Sequence, residues 1–237
     1  AGHKVVGDWQ ALFGINIRCH HLSWYTMEGE AKRDYPASIF HQSAWWRDYR
    51  LVEDYFARFG LLRSQGSSDC AILVLNPVES VWCQIYAGWS RSLSPVSEPV
   101  RSLEEAYAAT FHALAEAQLD FDYGDEAMLA EMGSVDNGLE LRLGRAAYRC
   151  VVASGMTTIR ATTLDLLERF ADRGGVVIFV GPPPAYVDAM PSYRAAHLAR
   201  RCVSASLPDG QPDYAGLAKA CEQAVGHQLR VGQQGCC

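Results

Sequence analysis

Between Gly14 and Ser38 a short apolar run ends in a dense cluster of imidazole, aromatic, hydroxyl and charged side chains: His20, His21, Ser23, Trp24 and Tyr25, then Glu28, Glu30, Lys32, Arg33 and Asp34. Aromatic faces beside hydrogen-bonding groups suit a sugar ring, which offers an apolar face and a belt of hydroxyls. His20, His21, Ser23, Trp24 and Tyr25 are therefore the candidate substrate-contacting residues. Glu28, Glu30 and Asp34 supply carboxylates for acid, base or cation-ligand work, and Lys32 and Arg33 are cations able to pair with them. The plainer reading of any one of these charges is a solvated loop residue. For the whole segment, the plainer reading is a loop that packs its own aromatics.

Two further groups carry chemistry outside this rim. Glu79 follows a buried apolar run and stands near Trp82 and Tyr86, where it could reach a ligand, or cap a helix, or face solvent. Asp120, Asp122, Asp125 and Glu126 surround Tyr123 and Gly124; a divalent cation would suit them, but a polar turn after a strand has the same composition. The eight cysteines include no C-x-x-C, and Cys19, Cys70 and Cys150 sit in or beside apolar runs, where cysteine packs as a small hydrophobe. No cofactor and no metal is expected from these residues.

The rim has to be delivered by something. Ile15, Ile17 and Cys19 alternate with Asn16 and Arg18, which predicts a strand placing His20 to Tyr25 at its carboxyl end, where α/β folds bind ligands. Trp45, Tyr49, Val52, Phe56 and Phe59 then fall on one helical face, and Gly66 ends that helix. This is one βα unit, too little to enclose a core.

From Cys70 a fuller pattern begins. CAILVLNP predicts a strand buried on both faces. Ser102 with Glu105 reads as a capping box opening the next helix. Strands are expected near 119–123, 139–143 and 148–153, and at VVIFVG. Helices are expected around Glu126 to Met132, from Thr163 to Arg173 with Thr162 as its cap, and from Tyr214 to Gly226, before a strand-like LRV. Strands alternating with helices predict an α/β doubly wound parallel sheet from about Ser67 onward. Its turns carry no Gly-x-Gly-x-x-Gly, no P-loop, no Gly-x-Ser-x-Gly and no cysteine at a strand-to-helix turn. The second domain therefore reads as noncatalytic.

The composition excludes several classes. With 49% hydrophobic and 20% charged residues the chain is expected to fold rather than stay disordered. A net charge of −6 without a Lys/Arg run argues against nucleic-acid or anionic-membrane partners. No stretch of about 18 apolar residues is present to span a bilayer. The absence of a disulfide pattern fits a reducing compartment such as the cytoplasm. The chain starts without Met, and its first residues read as neither signal peptide nor tag, so they do not tell whether a signal preceded Ala1.

Taken together, HHLSWYTMEGEAKRDYPAS, the Trp-Trp helix ending in EDYFARFG, SQG and LVLNPVESVW resemble the large multidomain bacterial glycoside hydrolases of the α-L-rhamnosidase type. They look more distantly like β-galactosidases that carry a barrel followed by an amidotransferase-like domain. AQLDFDYGDE, VVASGMTTI and LLERFADRGGVVIFVG are similar to that second domain, from which the amidotransferase cysteine is missing. The resemblance spans about Asp8 to Val231. It implies that residues 1–66 are the last βα unit of a (β/α)8 barrel, and that 67–237 form a flavodoxin-like, class I glutamine amidotransferase-like sheet. It implies a carbohydrate substrate, with His20, His21, Ser23 and Tyr25 facing it, and a catalytic carboxylate pair on earlier barrel strands upstream of Ala1. The missing barrel and downstream domains of the same polypeptide would then be this chain's partners. The alternative is a free-standing flavodoxin-like binding module whose first 66 residues dock a partner.

Overall fold

A computed structural model describes residues 2–20, 23–30, 38–91, 94–95, 97–135 and 138–227. The chain divides into two compact units, Ala1–Ser68 and Asp69–Cys237.

The first unit is built from helices. Helix α1 (Gly2–Leu12) was not foreseen; its Gly7 lets the ring of Phe56 approach the backbone. A 3-10 turn, Trp46–Tyr49, runs directly into α2 (Arg50–Arg63). The strand expected over Ile15 to Cys19 is not formed: residues 15–20 belong to no helix or strand, and Ile17 is 82% exposed. A strand needs a partner for its N–H and C=O groups, and the described elements of this unit are all helical. Cys19 is consequently exposed rather than buried. Among the described hydrophobic side chains of this unit, Ala11 and Tyr49 are the buried ones, and α2 buries none of its fourteen residues.

The second unit opens with β1 (Ile72–Leu75), α3 (Val78–Trp82) and a small hairpin of β2 (Ser90–Arg91) and β3 (Ser94–Pro95). Then come α4 (Glu98–Glu116), β4 (Asp122–Gly124), α5 (Glu126–Met132) and an antiparallel meander of β5 (Gly133–Val135), β6 (Leu141–Leu143) and β7 (Ala146–Tyr148). They lead to β8 (Cys150–Ser154), β9 (Thr158–Ile159), α6 (Ala161–Asp172) and β10 (Val176–Val180). The hairpin β11 (Tyr186–Val187) and β12 (Met190–Pro191) precedes α7 (Arg194–Ala199), β13 (Val203–Ala205) and α8 (Tyr214–Val225). The expected LRV strand lies outside the described residues.

Five of these strands form one parallel sheet in the order β13-β10-β8-β1-β4. Numbered along the chain, the order from β4 is 2-1-3-4-5, so the sheet reverses its direction of growth between β1 and β8. Alternation within the strands explains why both faces are covered. Leu73 and Leu75 face one core with Val151, Val177, Phe179, Leu164, Leu167 and Phe170. Ile72 and Val74 face the other with Val152, Ile178, Leu114 and Leu217. The first core is closed by α6 and the second by α4 and α8, the arrangement that a continuous apolar strand requires.

Two helix starts differ from expectation. Helix α4 begins at Glu98, with Ser97 as its N-cap residue and Pro99 in its first turn; Ser102 and Glu105 lie inside it. Proline is pre-organised for a first turn, and this outweighs the capping-box pattern downstream. Helix α6 begins at Ala161, and neither Thr162 nor Thr163 caps it, the latter being fully buried. Its first N–H groups are held from afar, Arg160 N–H by Glu126 Oε2 at 2.8 Å and Ala161 N–H by Asp188 Oδ1 at 3.0 Å.

Asp188 and Ala189 form the two-residue loop of the β11–β12 hairpin, with φ of 48° and 60°. That is the backbone of a type I′ turn, which suits Asp at the first position and Gly at the second. Ala189 carries a Cβ there against the left-handed preference. Ala189→Gly is expected to raise stability by about 0.5–1 kcal/mol, read from the denaturant midpoint; a lower midpoint would contradict the strain.

Candidate functional site

In the first unit the structure gathers polar groups around His20. Its Nε2 lies 3.2 Å from Glu53 Oε1 and 3.2 Å from the Tyr49 hydroxyl, which in turn lies 3.1 Å from His3 Nδ1. Tyr49 and Glu53 are one helical turn apart, so the 3-10 turn and the start of α2 present both to the same side. The rings of His3 and His20 stack with centroids 6.2 Å apart, and Trp45 stands edge-on to His3.

One proton assignment fits all three contacts of this chain. Nε2 of His20 carries a hydrogen shared between Glu53 and the Tyr49 oxygen, and the Tyr49 O–H donates to His3. Burial, and after it the Glu53 carboxylate, raise the Tyr49 pKa and keep the phenol protonated. A carboxylate, two imidazoles and a phenol in sequence can donate to or accept from a polyhydroxylated ligand, and can move a proton along the chain.

Beside this chain runs a groove of about 220 Å³ lined by Ile15, Asn16, Arg18, Glu53, Phe56 and Arg63, among others. Arg18 lies 3.7 Å over the Phe56 ring, a cation–π contact that fixes the guanidinium in the groove wall. The groove is smaller than the roughly 300 Å³ at which ligand pockets begin.

The other described residues of the predicted rim do not join His20. Trp24 is half-buried and pinned through its backbone: its N–H reaches Ser38 Oγ at 3.4 Å, and its carbonyl accepts from Gln42 Nε2 at 2.7 Å. Ser23, Glu28 and Glu30 are exposed, and Tyr25 is fully so. His21, Lys32 and Asp34 lie outside the described residues, as does Arg33. His3, Tyr49 and Glu53 were missed by the sequence reading. The 49/53 spacing was visible as a signal, but the helix that carries His3 was not.

In the second unit ligands would bind at the carboxyl end of the sheet, between β1 and β8. The turn after β8, Gly155 to Thr157, presents neither cysteine nor serine. Gly155 occupies the apex with φ of 64°, and a Cβ there would stand 2.6 Å from the Cβ of Ala106, so a cysteine or serine at this position would collide with α4. Ser154, beside it, is buried, and its Oγ accepts from Thr110 Oγ1 at 2.7 Å; no histidine hydrogen-bonds to it among the described residues.

Glu79 sits on α3 just beyond β1, and its Oε1 accepts from Arg160 Nε at 2.7 Å. Ser80 next to it ties α3 to β9, accepting from Thr157 and Thr158 N–H and donating to Thr158 O. The acidic cluster is divided among separate tasks. Asp122 accepts from the Tyr148 hydroxyl, Asp125 caps α5 through Ala127 N–H, and Glu126 is buried beneath α6. Among the described residues no three His, Cys, Asp or Glu are grouped to hold a metal ion. The Cys70 thiol, pushed up to about 12 by burial, is unreactive. No helix among the described residues is long and apolar enough to cross a membrane.

No family model and no curated protein matches the chain. Among solved structures it is similar to a rhamnosidase from Novosphingobium sp. PP1Y, at 19% identity and a TM-score of 0.41 over 81% of this chain. The chain spans 15% of that enzyme's length.

Proposed function

We propose that this chain is part of a multidomain glycoside hydrolase acting on O-glycosidic bonds of plant or microbial glycosides, α-L-rhamnosides foremost. Residues 1–66 are the closing βα unit of its (β/α)8 barrel. Residues 67–237 are a flavodoxin-like, amidotransferase-like domain that supports the barrel without catalysing.

The observation that carries this reading is a hydrogen-bonded His3–Tyr49–His20–Glu53 chain in a unit whose described residues form almost no core. Polar groups so arranged belong to a site, and the bare apolar faces around them need further protein to cover them. On α1, Val5, Trp9 and Leu12 are exposed at helical spacing, and on α2 Leu51 and Leu62 are exposed. In this reading segment 15–20, with Ile15 and Ile17 bare, would pair as a strand once its barrel neighbours are present. The 2-1-3-4-5 order of the second unit suits a flavodoxin-like sheet, and its empty Gly155 turn suits a supporting role.

In this reading His20, His21, Ser23, Trp24 and Tyr25 contact the sugar, while Glu28, Glu30, Lys32, Asp34 and Glu79 are secondary candidates. The carboxylates that cleave the bond come from other barrel strands. The test is kinetic. In the longer polypeptide, His20→Ala is expected to lower kcat/KM on an aryl α-L-rhamnoside about tenfold, roughly 1.4 kcal/mol of transition-state stabilisation, with the melting temperature unchanged. Unaltered kcat/KM would remove His20 from the site. The competing reading, a flavodoxin-like binding module, draws on the two complete cores of the second unit.

A further inference from the structure

Four buried oxygens of the second unit have no hydrogen-bond partner among the described residues: the Tyr123 hydroxyl on β4 and, on residues around Arg160, Glu126 Oε1, Glu79 Oε2 and Thr163 Oγ1. Glu126 and Thr163 are fully buried, and the Glu79 side chain is 14% exposed. Glu126 and Glu79 are joined through one residue, Arg160, whose backbone N–H donates to Glu126 Oε2 and whose Nε donates to Glu79 Oε1. Of the three oxygens around Arg160, only that of Thr163 carries a hydrogen of its own. That one hydrogen cannot serve both carboxylate oxygens, and a proton on Glu126 Oε1 supplies the second donor and removes a buried negative charge near the Glu79 carboxylate.

From this geometry we infer that Glu126 is a proton-operated latch on the first turn of α6. Protonated, it stays beneath α6 and holds the Arg160 backbone, and with it β9, at the carboxyl end of the sheet where the strand order reverses. Ionised, it sets a second buried negative charge near Glu79 that Arg160 and Thr163 offset only in part, so opening of that turn, which hydrates the carboxylate, becomes easier. The groups facing it are limited. Glu79 comes from α3, and Arg160 and Thr163 come from the start of α6, where Asp188 holds the adjacent Ala161 N–H. The other elements packed on α5 are β5 and β6, whose one charged residue, Arg142, pairs with Glu140.

The titration agrees with the geometry. Burial lifts the Glu126 carboxyl from 4.5 to about 7, opposed by Thr163 and by the Arg160 N–H. An acid whose folded pKa is raised favours the fold while protonated. Its contribution is therefore full below about 4.5 and is lost as the pH climbs to about 7.

The test is amide hydrogen exchange on the whole chain at pH 5 and pH 8, corrected for intrinsic rates. The Arg160 amide is expected to lose about tenfold in protection across this range, against no change for Val151 and Val177 in the central strands. Glu126→Gln, which keeps the acceptor and is always neutral, is expected to hold Arg160 protected at both pH values. Equal protection of Arg160 at the two pH values in the wild type, or an unchanged loss in Glu126→Gln, would overturn the latch. Should that variant fail to fold, the Glu126 carboxyl carbon is followed in the wild type. Titration in step with the Arg160 amide supports the latch, and titration that leaves this amide unmoved refutes it.

Discussion

Expressed alone, residues 1–68 show no cooperative unfolding and bind hydrophobic dyes, whereas residues 69–237 unfold in a single sharp transition. The expected contrast follows from where apolar surface is covered. Fixing each residue costs about 1–2 kcal/mol of backbone entropy, which buried apolar area at about 25 cal/mol per Å² must offset. In the first unit Ala11 and Tyr49 are the described hydrophobic side chains that are buried, and Leu12, Ile17, Leu51 and Leu62 stand in solvent. The second unit has a sheet covered on both faces, with Ile72, Leu73, Val151, Val152 and Ile178 at zero exposure. Circular dichroism during urea titration, with dye fluorescence alongside, separates the outcomes. A cooperative, dye-silent 1–68 would mean that this unit needs no covering protein.

Phe170→Ala lowers the stability of the second unit by about 3–5 kcal/mol, a large share of the 5–15 kcal/mol typical of a domain. Phe170 is fully buried on α6 in the core shared with Leu73, Val177 and Phe179. The chain returns from α6 to β10 through Gly174 and Gly175, and a Cβ on Gly175 would strike the Phe170 ring. The ring thus rests on bare backbone, and its removal leaves a cavity that the stiff sheet cannot fill. The urea midpoint measures the loss. A change below about 1 kcal/mol would show that the site collapses freely.

What was legible in the sequence is what local physics decides. CAILVLNP and VVIFVG read as doubly buried strands because an uninterrupted apolar run has no solvent face to offer, and β1 and β10 are found there. Helix α5 begins at Glu126 as expected because Asp125 caps it from the adjacent position. Where long-range partners decide, the sequence was silent. The start of α6 is set by Glu126 and Asp188, 34 and 27 residues from the N–H groups they hold. The strand expected over Ile15 to Cys19 has the right alternation but no strand to pair with among the described residues of its unit.

The candidate site was legible in the same uneven way. His20 was marked by its aromatic and hydroxyl surroundings, yet its actual partners, Tyr49, Glu53 and His3, come from two helices flanking it in the chain. Tyr49 and Glu53 lay in a segment read only for its apolar face. Glu126 stood in an acidic run whose members look alike in sequence. Burial alone distinguishes it, with Asp122 and Asp125 spent on a tyrosine hydroxyl and a helix cap.

The most direct measurement is the size of the native polypeptide that contains this sequence, detected in its source with an antibody raised to residues 69–237. The account predicts a band several times larger than 26.1 kDa, the mass of this chain, with α-L-rhamnosidase or related glycosidase activity in the immunoprecipitate. A band at 26.1 kDa without such activity would contradict it and leave a free-standing binding module.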